Sequence, residues 1–216
     1  MVWKPKNTRR MNSSSFPDNP SVPVVTDSSV IINLNATASA AAIIDALPNP
    51  FFVTVNVRRE LSMGESHGHR CGEKLEVLIS QGLLELAELG PGDDLVYRSL
   101  VEGGFESTLD DGEAATIAYA VGHDGVALID ERKARRICAA RFPDLLFAST
   151  VEVLLHPLVA ERLGESGQSE AIFSALRDAR MHVPHHALQE VIERIGEEAA
   201  TVCPSLPRSH RNLRTR

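Results

Sequence analysis

Short β-branched or leucine-rich runs alternate along this chain with longer stretches whose apolar residues recur every three to four positions. Five runs read as strands, at 22–26 (Val-Pro-Val-Val-Thr), 51–55, 83–89, 126–129 and 145–148. Between them the helical period predicts helices at 28–34, 38–47, 56–63, 73–80, 95–103, 112–121 and 131–141. Thr37 is the candidate N-cap of the second helix and Pro48 its stop. Gly-Pro-Gly-Asp-Asp at 90–94 reads as a loop. Beyond the last strand come a helix over 150–163, bent at Pro157, and two amphipathic helices near 169–181 and 184–199.

Strands that alternate with helices imply the α/β class: a three-layer α/β/α sandwich around a mostly parallel sheet. The chain divides into a tail at 1–20, a main domain at 21–165, a helical extension at 166–200 and a basic tail at 201–216. Residues 1–20, rich in Asn, Ser, Pro and Arg, have no periodicity and are expected to be disordered. The two extension helices read as an appended hairpin, not a second domain.

Composition changes this picture in two ways. No apolar run approaches the ~18 residues of a membrane span, so no membrane partner is expected. The basic start has no apolar stretch behind it, which points to a cytoplasmic protein. Three cysteines, Cys71, Cys138 and Cys203, form no Cys-x-x-Cys pair and fit a reducing compartment. Charge is distributed unevenly. Residues 1–20 carry +3 and residues 204–216 carry +4, so the body between them holds −14 of the overall −7. That is not a protein that grips nucleic acid with a broad basic face.

Four acids fall at strand ends or helix starts: Asp27, Glu60, Glu113 and Asp130. The carboxyl ends of parallel strands open on one crevice, so these side chains can share a cation. Magnesium and manganese take carboxylate and water oxygens. Clustered acids without a cation raise one another's pKa, a cost that packing alone does not explain. Each acid also has a plainer role. Asp27 and Asp130 can cap the helices that follow them, Glu60 can sit in solvent, and Glu113 suits a helix first turn. Asp110 and Asp111 stand beside Glu113, and Glu131 is placed to pair with Arg135 one turn on. Arg132, Lys133, Arg135 and Arg136 form a basic helix face that can contact phosphate or simply face water. His67, His69 and Cys71 lack an obvious fourth zinc ligand and read as a polar loop. His182, His185 and His186 read as exposed turn residues.

The acids sit in four segments: Val-Val-Thr-Asp-Ser-Ser-Val-Ile-Ile-Asn-Leu at 24–34, Phe-Val-Thr-Val-Asn-Val-Arg-Arg-Glu-Leu at 52–61, Asp-Gly-Glu-Ala-Ala-Thr-Ile-Ala-Tyr-Ala at 111–120, and Leu-Ile-Asp-Glu-Arg-Lys-Ala-Arg-Arg-Ile-Cys at 128–138. In these, over roughly residues 22–155, the chain resembles the PIN domain family; the last two look most like a VapC-related, PIN-like subfamily. The resemblance implies a Mg²⁺- or Mn²⁺-dependent ribonuclease, with residues 21–165 as its nuclease domain. The metal-binding acids would be Asp27, Glu60, Glu113 and Asp130, and Ser29 the small hydroxyl after the first acid. VapC-like members act as toxins on structured RNA, are silenced by an antitoxin protein, and often form homodimers. Two features depart from the family. Leu128 stands where a hydroxyl commonly precedes the last acid, and the extension after about residue 165 exceeds a minimal PIN domain. A non-catalytic PIN-like protein that binds a partner through its C-terminal helices is the alternative. A phosphohydrolase is disfavoured, because Asp27-Ser28-Ser29 lacks the Asp-x-Asp pairing such enzymes often use.

Overall fold

Residue 16 and residues 19–64, 70–104 and 108–207 are described by a computed structural model. His67, His69 and most of both basic tails lie outside these residues.

Five short strands form one sheet: β1 (Val24–Thr26), β2 (Phe51–Thr54), β3 (Glu85–Ala87), β4 (Val126–Leu128) and β5 (Leu146–Ala148). Their order is β3-β2-β1-β4-β5 and every pairing is parallel. The period-two alternation of strand side chains divides the interior into two cores. Val24, Val126 and Leu128 point into one, while Val25, Ala127 and Ile129 point into the other. The first core is closed by α1 (Ser28–Ala36), α2 (Ala40–Asp45), α3 (Val55–Gly64), α4 (Cys71–Ser80), α8 (Thr150–Leu154), α9 (Pro157–Asp178), α10 (Leu188–Ile195) and α11 (Glu197–Thr201). The second is closed by α5 (Pro91–Val101), α6 (Asp111–Gly122) and α7 (Arg132–Arg141). This is the expected three-layer sandwich, with a wholly parallel sheet.

Local chemistry moves several boundaries. Thr37 does not start α2; its hydroxyl donates to Leu34 O at 2.7 Å and accepts from Ser39 N at 3.0 Å, so it closes α1. Residues 90–94 are not a plain loop. Pro91 is the first residue of α5, where a missing N–H costs nothing, and the Asp93 carboxylate accepts from Gly90 N at 2.9 Å. That carboxylate also lies against Gly122 at the far end of α6, where a Cβ would come within 1.9 Å of it. Pro157 separates two helices instead of bending one, with the ring of His156 accepting from Leu158 N at 3.2 Å. The bend inside α9 is at Gly164, where φ is +72°. The predicted helix over 184–199 is a 3-10 turn (His185–Ala187) followed by α10 and α11, parted at Gly196 with φ +83°. The strand predicted over 83–89 shrinks to three residues at the sheet edge, where no strand among the described residues pairs its outer side.

The C-terminal helices are part of the first core. Ile172 and Leu176 of α9 are fully buried beside Val191 of α10, and Cys203 and Leu206 after α11 join them. Phe16, within the expected tail, is buried too, its ring 6.4 Å from that of Phe51 and edge-on to His156 at 5.8 Å. Leu176→Ala is expected to destabilise the whole domain by about 2–5 kcal/mol, the usual cost of emptying a packed leucine site. Urea unfolding followed by circular dichroism checks this. A lowered midpoint in one transition is the expected result, and a separate early transition would show that the last helices unfold on their own.

Candidate active site

The direction of chain progression reverses between β1 and β4, and in open parallel sheets the crevice beyond such a point receives ligands. Asp27 and Asp130 leave the ends of those two strands. Asp27 is the N-cap of α1, its carboxylate accepting from Ser29 N at 3.2 Å and from the Ser29 hydroxyl at 2.8 Å. Its own N–H extends the ladder to Leu128 O at 3.2 Å, which fixes it against the neighbouring strand. The side chain is only 4% exposed. Burial pushes its pKa from 3.8 up to about 6; the Ser29 hydroxyl and the backbone N–H groups of Ser28 and Ser29 oppose the shift, and the charge of Glu60 adds to it.

Glu60 arrives from α3, whose first turn is held where Val57 N donates to the Thr54 hydroxyl at 3.3 Å. One carboxylate oxygen accepts from the Ser28 hydroxyl at 2.5 Å, and the other accepts from Gly112 N at 2.7 Å. Glu113 is the third residue of α6 and accepts from Asp110 N at 3.3 Å. Half-buried, it is pushed from 4.5 up to about 7, first by burial and then by the charge of Asp27. Asp27 thus feels the charge of Glu60, and Glu113 feels that of Asp27.

Asp130 is engaged differently. It does not cap α7; Glu131 does, accepting from Lys133 N and, at 3.0 Å, from Ala134 N. Asp130 instead turns to α8, accepting from Thr150 N at 2.8 Å, the Thr150 hydroxyl at 2.5 Å and Asn33 Nδ2 at 2.7 Å. Burial still drives its pKa upward, against those hydrogen bonds and the nearby Arg135. Arg135 does not pair with Glu131. Its guanidinium donates to Ile129 O at 3.2 Å, lies 3.7 Å from Glu152 and sits over the Phe147 ring. Of the basic strip on α7, Arg132 and Arg136 are exposed. His186 is also drawn in, its ring 3.4 Å from Glu152.

Four residues of this site escaped the sequence reading: Asn33 and Thr150 around Asp130, and Ser28 and Gly112 around Glu60. Asn33 left a trace, a polar, weak helix former inside the apolar run Val-Ile-Ile-Asn-Leu. Gly112, alone among the acids of a helix first turn, left another.

A family model described as PIN domain matches residues 23–197. The chain belongs to the PIN domain family. No curated protein and no solved structure matches it. The PIN domain is a nuclease-type fold, and its members are typically nucleases that use divalent metals and act on nucleic acid. Among the described residues of this PIN domain, no helix is long and apolar enough to cross a membrane. Nor do any three His, Cys, Asp or Glu side chains there stand as a ready ligand shell. The donors nevertheless fit a hard cation. They are oxygens only, both aspartates are buried, and Asp27 and Glu113 hold their protons harder because of burial, to which the charge of Glu60 adds at Asp27 and that of Asp27 at Glu113. Glu60 and Asp130 also accept from hydroxyl, amide and backbone donors.

These raised values set a pH dependence. A carboxyl whose folded pKa is raised holds its proton more tightly folded than unfolded. The cost is absent below the ordinary values of 3.8 and 4.5, grows as pH climbs, and is complete above about 6 for Asp27 and about 7 for Glu113. In EDTA, Asp27→Asn is expected to stabilise the protein at pH 8 by on the order of 1–2 kcal/mol, a few degrees in Tm, and to do little at pH 4. Thermal melts at both pH values decide it. Equal destabilisation at the two pH values would contradict burial as the cause.

Proposed function

We propose that this PIN domain is a Mg²⁺- or Mn²⁺-dependent endoribonuclease. The observation that carries the reading is the convergence of Asp27, Glu60 and Glu113 beyond β1 and β4, with Asp27 and Glu113 forced toward protonation unless positive charge is supplied. Asp27, Glu113, Asp130 and Glu60 would hold the ion. When bound, it would acidify a water and offset charge on the phosphodiester oxygens.

The chain's own residues do the rest. Ser29 fixes the orientation of the Asp27 carboxylate, and Thr150 with Asn33 fixes that of Asp130. Deep burial of both aspartates keeps bulk water from competing for their oxygens. Arg132 and Arg136, exposed on the helix that follows Asp130, would supply phosphate contacts on a body whose net charge is −14. A toxin role, an antitoxin partner and a homodimer belong to the same proposal and rest on the family resemblance alone; a cytoplasmic location is part of it too, and fits three cysteines without a Cys-x-x-Cys pair.

The test is cleavage of a pool of structured RNAs by purified protein in Mn²⁺, in EDTA, and as Asp27→Asn and Asp130→Asn. Withdrawing several kcal/mol of transition-state stabilisation predicts a rate loss of roughly 10²–10³-fold in each arm. Cleavage that survives both EDTA and the substitutions would sink the proposal. Tight Mn²⁺ binding with no RNA cleaved would favour the non-catalytic, partner-binding module instead.

A further inference from the structure

Both oxygens of Glu60 are held by residues adjacent to the other two acids. The Ser28 hydroxyl, donating at 2.5 Å, follows Asp27 directly; the Gly112 N–H, donating at 2.7 Å, directly precedes Glu113. That N–H is in the first turn of α6, where backbone donors have no partner within the helix. Here it is satisfied by a side chain from α3, 52 residues earlier in the chain.

The glycine itself then needs explaining. Gly112 does not take a left-handed conformation, so its backbone does not require glycine. Inside a helix, alanine is the better residue. What glycine supplies is space. A Cβ at position 112 would lie 2.4 Å from one Glu60 carboxylate oxygen, 2.8 Å from its carboxyl carbon and 3.0 Å from the other oxygen. The colliding group is the end of a flexible side chain, so the helix would stay where it is and the carboxylate would be expelled.

We propose that Gly112 and Ser28 are positioning residues, which lock the Glu60 carboxylate between Asp27 and Glu113 and so set the spacing of the acids. Its bearing on metal binding rests on the nuclease reading; the contact itself does not. Glu60 acts as a pin joining the starts of α1 and α6. The bare backbone of Gly112 is the socket for that pin.

A double-mutant cycle between Gly112→Ala and Glu60→Ala tests this with two readouts, the Tm in EDTA and Mn²⁺ affinity by titration calorimetry. With Glu60 present, Gly112→Ala should lower Tm and weaken Mn²⁺ binding by about 10–100-fold, the usual loss when a ligand's orienting partner is removed. In the Glu60→Ala background the same change should raise Tm, because alanine favours the helix, and should leave Mn²⁺ affinity within about twofold. Ser28→Ala should weaken binding, and Ser28→Thr, which keeps the hydroxyl, should restore it. Effects of Gly112→Ala that are equal in both backgrounds overturn the proposal. If the wild-type protein binds no Mn²⁺ while Tm still reverses sign, the nuclease reading fails and the positioning role stands.

Discussion

A carboxyl group taken out of water must be met by a proton, a cation or hydrogen-bond donors, and the end of this sheet buries two aspartates almost completely. The donors come from helix starts. Asp27 takes the first turn of α1, Asp130 takes the first residue of α8, and Glu60 takes the first turn of α6. The arrangement of helices around the crevice is therefore also the solvation of its acids. Hydrogen bonds from Thr150 and Asn33, with Arg135 nearby, oppose the rise that burial imposes on Asp130. Glu113 has the backbone N–H of Asp110 to accept from, and there the pKa rises to about 7.

That inequality divides the acids by role. Asp130 resembles a structural keystone as much as a ligand, since it joins β4 to α1 through Asn33 and to α8 through Thr150. Asp27 and Glu113 are left with raised pKa values, a cost that positive charge beside them would offset. The C-terminal helices support the arrangement from behind. They complete the core under α1 and α8, and Glu152 of α8 meets both Arg135 and His186.

Most of the architecture was legible in the sequence because its signals are local. The runs at 22–26, 51–55 and 126–129 read as short strands, the first of them as a buried parallel one, and acids at or after their ends marked the crevice. What was hidden was reciprocity. Thr37 has the chemistry of either cap, and only the position of Ala38, with φ +57°, decides that it ends a helix. Pro91 in a Gly-Pro-Gly sequence looks like a turn until Asp93 is seen to tie back to Gly90. The partners of Asp130 lie 97 and 20 residues away, and no periodicity encodes such pairings. Gly112 stands out among the acids of its helix start, but nothing in the sequence names the distant carboxylate that needs its space.

Helix α6 has a glycine at each end, and each admits a carboxylate from another element: Glu60 at Gly112 and Asp93 at Gly122. A helix gripped at both ends cannot slide along its axis or turn about it without losing one grip. Its length is thereby a fixed dimension of the protein. An extra residue anywhere within it would rotate one end by about 100° relative to the other. Either Glu113 would swing out of the crevice or Asp93 would lose its seat. Point changes in the middle of α6 meet a different constraint, because Ala114, Ala115, Ile117 and Ala118 are fully buried: they disturb packing but leave both grips in register.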